Sequence, residues 1–339
     1  MNIMKDKIRG VFTGVALGDA LGAPHEFRYH KSNIYTGNLK HRYKLINRWR
    51  GPKEMVIGQT TDDTEMTLTL ARSLIRYGKY NEEDVILNYE QWATGTTMLG
   101  INTRTLFKNI KTVKGFRKRW EKKFSDLEAR EKNQSNGSLM RCSPLAFIFD
   151  DAATVQDCSL TNPSSVNIES NLAYVRAVRL LVLGHDKNVV FEHVLEQVKN
   201  PDVRIVLNQA KNNEKRDVTR IGKGWVLHAL YCAFWALING NDYQTTIDHI
   251  IRLSGDTDTN AAIAGAMLGA SMGYIEMMKE EKTPRNLHIL MNADTSEGDN
   301  PRDERYTIGP QEDFEKFVND FYVKIAKPNL EPYLIVSNT

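Results

Sequence analysis

Cysteine is scarce in this 339-residue sequence. Cys142, Cys158 and Cys232 are too few and too scattered for a disulfide framework or a zinc site, and they read as inert thiols of a reducing compartment. Long hydrophobic runs are missing as well. No window approaches the roughly 18 uncharged apolar residues that a spanning helix needs, so no membrane partner is expected. The opening stretch MNIMKDKIRGVFTGVALGDALG begins basic and turns apolar, but Asp19 interrupts it and no small-residue cleavage region follows, which is not the pattern of a secretory leader. A cytoplasmic location is the expectation. Alternating strand patterns are rare, YLIVS at 333–337 being the best of them. Charge of one sign is also lacking, since 45 Lys+Arg against 42 Asp+Glu leave only +3.

That near-neutrality hides a pattern. Residues 28–53 hold eight Lys/Arg and no acid, and residues 108–132 hold ten Lys/Arg against four acids. The two blocks together carry +14 of a net +3, so the rest of the chain carries −11. The first block also contains Tyr29, Tyr35, Tyr43 and Trp49. It reads either as a solvated loop balancing an acidic body or as a rim that attracts an acidic substrate. In the second block, Phe116, Trp120 and Phe124 at four-residue spacing predict a helix with one packed face.

What is abundant is helical periodicity. Apolar residues recur at i, i+3, i+4 over 62–77, 82–93, 168–184, 223–239, 243–253, 258–279 and 311–326. With 41% apolar residues, no repeat and no low-complexity linker, the chain reads as one all-α domain over 1–339, with a long loop at 28–58 and a C-terminal extension at 280–339. Gly10, Gly14, Gly18 and Gly22 recur every fourth residue, as do Gly265, Gly269 and Gly273 among alanines. Such spacing puts the glycines on one helix face, where a second backbone can approach closely.

Two acidic segments share one chemistry. Thr61, Asp62 and Asp63, with Glu65 after them, open the helix at 62–77; Asp256, Asp258 and Thr259 open the helix at 258–279. N-capping accounts for one such residue, and Asp62 with Glu65 has the spacing of a capping box. Capping does not account for adjacent carboxylates, which repel unless a cation neutralises them. Oxygen ligands without His or Cys suit Mg²⁺, Mn²⁺ or Ca²⁺. Glu26 follows Pro24, which ends the first helix, so a carboxylate stands where the helix dipole disfavours it. Asn136, Gly137 and Ser138 form a polar turn at what reads as a helix start, a place where backbone N–H groups can cradle phosphate.

Taken together, GVALGDALGAPHEF, GQTTDDTEM, NGSLMR and SGDTDTNAAIAGAMLGA resemble the ADP-ribosylglycohydrolase family, in the family's order and across residues 10–275. The resemblance implies a single-domain orthogonal helical bundle with two Mg²⁺ or Mn²⁺ ions in a cleft, and hydrolysis of the N- or O-glycosidic bond between ADP-ribose and an acceptor. It implies metal ligands at Thr61, Asp62, Asp63, Asp256, Asp258 and Thr259, catalytic roles for Glu26, Asp62 and Asp258, and diphosphate binding by Asn136, Gly137 and Ser138. The partner would be an ADP-ribosylated protein or another ADP-ribosylated acceptor, with poly(ADP-ribose) or nucleic acid as the acidic polymer at the basic loop. Two positions depart from the pattern: Asn162 stands where a histidine is usual, and Ser254 where a glycine is usual. Two alternatives remain at this level: a non-catalytic ADP-ribose or nucleic-acid binding module, and a hydrolase of a small ADP-ribosyl compound.

Overall fold

The computed structural model describes residues 2–27, 35–40, 42–47, 51–220, 222 and 224–335. The architecture is all-α. In chain order the helices are α1 (Ile3–Gly22), α2 (Asp62–Tyr77), α3 (Glu82–Gly95), α4 (Ile101–Phe107), α5 (Val113–Lys123), α6 (Leu127–Glu131), α7 (Asp151–Thr161), α8 (Ser165–Val182), α9 (Lys187–Gln197), α10 (Pro201–Lys211), α11 (Val226–Asn239), α12 (Tyr243–Arg252), α13 (Thr257–Met272), α14 (Tyr274–Met277), α15 (Thr283–Met291) and α16 (Gln311–Phe321). The starts carry the expected signals: Asn2, Asn81, Thr112, Ser164 and Asp242 each cap a helix through the side chain.

Helices α1 and α13 form the centre. From Gly10 onward every residue of α1 is buried, as is α13 from Thr257 to Ala270. They run antiparallel along the predicted small-residue ridge. A Cβ on Gly10, Gly14, Gly18 or Gly22 would lie 2.1–2.4 Å from the carbonyl oxygen of Gly269, Gly265, Ala261 or Thr257 in turn. Gly273 does not belong to this ridge. It adopts φ +86°, ends α13 and separates off α14, so the single helix expected over 258–279 is broken there.

Two further expectations need correction. The 28–58 segment is not all loop: Tyr43–Asn47 (β1) and Gly51–Met55 (β2) pair antiparallel, with Tyr43 opposite Met55. Tyr43 and Met55 are buried, while Lys44 points outward, which is the alternation a half-buried hairpin needs. YLIVS forms no strand among the described residues; Glu331–Tyr333 is instead a short 3₁₀ turn. The C-terminal extension packs into the bundle. The Phe12 ring packs edge-on against Phe317 and Phe321 at 4.8 and 5.2 Å, and Phe147 meets Phe321 at 5.2 Å, so α16 completes the core around α1. The helix expected around Phe116 and Trp120 is α5, with Phe116 fully buried. No helix among the described residues is long and apolar enough to cross a membrane.

Candidate active site

The ridge between α1 and α13 places the end of α1 beside the start of α13. The start of α2 is brought to the same point by Asp19, a fully buried carboxylate of α1. Asp19 accepts from the backbone N–H of Thr61 (3.0 and 3.1 Å) and Thr64 (3.1 Å), and from the hydroxyls of Thr61 (2.9 Å) and Thr64 (2.6 Å). Thr61 precedes α2 but its own side chain makes no cap. The N-terminus of α2 is therefore capped by another helix. Sequence reasoning missed this role, although a lone Asp inside an apolar helix was the available signal.

The two acidic segments face one another. The Thr259 hydroxyl lies 3.4 Å from Asp63 Oδ2, which also accepts from the Thr61 hydroxyl at 3.0 Å. One oxygen each from Asp19, Asp63 and Asp258 lie within 4.8 Å of one another, and so do one each from Glu26, Asp256 and Asp258. Asp258 is common to both groups. Asp62 belongs to neither and stands on the adjacent cleft surface with Thr61. Phe27, with φ +52°, donates its N–H to the Gly255 carbonyl at 2.8 Å and so fixes Glu26 against the α13 start.

Among the described residues, Asp19, Asp62, Asp63, Asp256 and Asp258 form no ion pair with Lys or Arg. Burial, with Asp19 and Glu65 nearby, pushes the Asp62 carboxyl up to about 7. Burial and the charges of Asp19 and Asp62 raise Asp63 well above the usual carboxylate range, and burial with Glu26 and Asp256 does the same to Asp258. Asp63 Oδ1 is buried without a hydrogen-bond partner. An orphaned carboxylate oxygen inside an all-oxygen donor set fits a hard divalent cation, and Asp63, Asp256, Asp258, Glu26, Thr61 and Thr259 are the residues that could hold one. Asp19, which caps α2, contributes an oxygen to the first group as well.

Glu65 does not close a capping box. Its carboxylate, 2% exposed, turns away to Arg302 and to Trp92 Nε1.

The acidic cluster forms one end of a cleft of about 570 Å³, a volume typical of small-ligand sites. Its walls come from residues 98–103 and 132–137, with Thr161 and Asn162 between them. Asn136 and Gly137 line it, and Asn136 Nδ2 donates to Asp256 Oδ2 at 2.9 Å. Ser138 does not line it. Its buried hydroxyl accepts from Asn167 and Asn171 at 3.3 and 3.1 Å, so the side chain anchors the loop from behind. The following Leu139–Arg141 is one 3₁₀ turn and not the start of a long helix. Arg141, fully buried, grips Asp157 at 2.9 Å and donates to Gly137 O and Thr161 Oγ1 at 2.8 and 2.9 Å, which fixes the loop's course.

Asn162 is the hub of a neutral network on the cleft floor. It donates to Asn133 Oδ1 at 2.8 Å and Ser135 Oγ at 2.9 Å, and accepts from Thr161 Oγ1 at 2.8 Å. Asn102 joins through Asn133 at 2.8 Å. At the other departure from the pattern, Ser254 adopts φ +66°, a region that disfavours any residue with a Cβ. Of the basic rim, Arg28, Tyr29, Lys31, Arg48, Trp49 and Arg50 lie outside the described residues. Arg42 is paired with Glu54 and Glu297 at 3.4 and 2.8 Å.

Residues 1–283 match the family described as ADP-ribosylglycohydrolase. A putative ADP-ribosyl glycohydrolase of Acanthamoeba polyphaga mimivirus is 24% identical over 79% of this chain and 88% of its own. The ADP-ribosylarginine hydrolase Tri1 of Pseudomonas putida is 25% identical over 84% of this chain and 76% of its own. The ADP-ribosylhydrolase ARH3 of Homo sapiens is 24% identical over 79% and 85%. A solved ADP-ribosylglycohydrolase-related protein complex shares the fold, with a TM-score of 0.66 at 22% identity over 96% of this chain and 99% of that one. With the family match running through α1, α2 and α13 and on into the start of α15, this protein belongs to the ADP-ribosylglycohydrolase family.

Proposed function

We propose that the protein is a hydrolase that reverses ADP-ribosylation, cleaving the N- or O-glycosidic bond between ADP-ribose and its acceptor with two divalent cations, Mg²⁺ or Mn²⁺. The observation that carries this reading is the pair of carboxylate groups sharing Asp258 at one end of a 570 Å³ cleft. Family membership supports the reaction class.

When bound between these carboxylates, the cations would supply Lewis acidity and a template for the distal ribose. The remaining work falls to the chain. Asp63, Asp256 and Asp258 hold the positive charge, with Thr61 and Thr259 as neutral oxygen donors. Asn136 braces Asp256 and gives its own N–H to the Gly224 carbonyl at 2.8 Å, so the backbone N–H at Gly137 is the one that faces the diphosphate, beside the neutral Asn102, Asn133 and Asn162 network. Binding remote from the reacting carbon orients it.

In the reaction a water oxygen forms the new bond to C1″ as the bond from C1″ to the acceptor breaks, through a transition state with oxocarbenium character. A Glu26 carboxylate oxygen takes the water proton, and that proton passes through solvent to the departing acceptor, which leaves Glu26 ionised as it began. Asp62, on the cleft surface, orients the attacking water. The products are ADP-ribose and the free acceptor.

A panel of ADP-ribosylated substrates with different linkages, assayed with Mg²⁺, Mn²⁺ and EDTA, tests the reading. ADP-ribose release from at least one linkage should vanish in EDTA and in the Asp62→Asn, Asp63→Asn double variant. Undiminished release by that variant would sink it.

A further inference from the structure

Residues 295–302 lie beyond the segment matched by the family and form a loop closed on itself. Arg302 N donates to Thr295 O at 2.7 Å, and Thr295 Oγ1 to Arg302 O at 3.0 Å. From this closed loop, bonds run to the 98–103 wall of the cleft and to its acidic end. Asn300 Oδ1 accepts from the Thr97 N–H at 2.9 Å and the Thr97 hydroxyl at 2.7 Å, immediately before cleft residues Met98 and Leu99. The Asn300 carbonyl accepts from Gln59 Nε2 at 2.8 Å, two residues ahead of Thr61. Arg302 forks onto Glu65 at 2.8 and 2.9 Å, in the first turn of α2. Both are buried, Asn300 to 2% exposure and Arg302 to 6%.

We propose that Asn300 and Arg302 are positioning residues that set how the acidic end of the cleft stands against its 98–103 wall. A bidentate guanidinium–carboxylate pair fixes orientation as well as distance, so Arg302 holds the turn of α2 that presents Asp62 and Asp63. Asn300 holds the 98–103 wall at Thr97. Neither residue reaches the cleft. One loop therefore ties the acidic end of the site to the wall beside it, and the two ties are separable because they use different side chains. The effect on ligands rests on the proposed function; the hold on the two segments does not.

The experiment compares full-length wild type with Asn300→Ala, Arg302→Gln and Arg302→Lys, the last keeping the charge without the fork. Binding of ADP-ribose and of Mn²⁺ is measured by calorimetry, and amide exchange is read on the ligand-free chain. Asn300→Ala should weaken ADP-ribose roughly three- to tenfold, leave Mn²⁺ affinity unchanged and speed exchange across 96–103. Both Arg302 variants should weaken Mn²⁺ roughly tenfold and speed exchange across 61–66. Exchange raised evenly through the fold, or faster at neither segment, would overturn the proposal. A wild type that binds neither ADP-ribose nor Mn²⁺ would defeat the proposed function, while the exchange pattern of the ligand-free chain still decides the role of the loop.

Discussion

A Cβ placed on Gly14 would lie 2.1 Å from the carbonyl oxygen of Gly265. Backbone on a neighbouring helix cannot yield as a flexible side chain would, so α1 and α13 must part to admit even a methyl group. Gly14→Ala should cost about 2–3 kcal/mol of stability, read from urea unfolding. Because the same separation spreads the carboxylates, divalent-cation affinity should fall with it; a variant as stable as wild type would show the ridge to be slack.

Asp19 offers a sharper test of how α2 is placed. Asp19→Asn sets an amide among four donors that all need an acceptor, in a fully buried place. A loss of at least about 2 kcal/mol is expected. The α2 amides near Thr61 and Thr64 should exchange faster than those near Tyr77, and uniform exchange along α2 would count against the cap.

Ser254 pays a cost that the usual glycine would not. Its φ of +66° places the Cβ against its own backbone, so Ser254→Gly should stabilise the chain by about 1 kcal/mol, seen as a higher midpoint in thermal melts. A lower midpoint would mean that the hydroxyl contributes more than the strain takes.

The pH dependence follows from the raised carboxyls. Asp62 sits at about 7 in the folded chain, and Asp63 and Asp258 are raised well above their usual values, whereas the unfolded chain has ordinary carboxyls near pH 4. The folded state thus holds extra protons between about pH 4 and 7. Its metal-free stability is greatest at the acid end and is lost as pH rises through about 7. Melting in EDTA should therefore occur at lower temperature at pH 7.5 than at pH 5.5. Excess Mg²⁺ should lift the pH 7.5 melt and leave the pH 5.5 melt nearly unmoved. An EDTA melt that rises with pH would contradict the assignment.

Much of this arrangement was legible because its signals are local. The four-residue glycine spacing announced two closely approached helix faces, though not that α1 and α13 are each other's partners, and the 62–77 helix was readable from its periodicity and acidic start. The acidic segments were readable as a pair because capping could not absorb so many carboxylates. Facing of the pair was not readable, since it depends on which helix caps α2. Ser138 was misplaced for a related reason: a hydroxyl in a polar turn gives no sign of Asn167 and Asn171 waiting behind it. The hairpin was hidden by a run of basic residues that masks the buried Tyr43 and Met55. Arg302 and Asn300 lay in what read as a loop, and nothing near them in sequence names Glu65 or Thr97 as partners.

The contact between Gly22 and Thr257 spans 235 positions of the chain, and it is the contact on which the acidic cluster depends. Translation proceeds at about 5–20 residues per second, so α13 leaves the ribosome on the order of ten seconds or more after α1. During that interval α1, apolar along most of its length, has no partner ridge, and the carboxylates that will crowd together remain apart as ordinary solvated acids. A nascent or truncated chain lacking α13 has no assembled centre. The long sequence separation thus delays both the electrostatic strain and the site until α13 has been made.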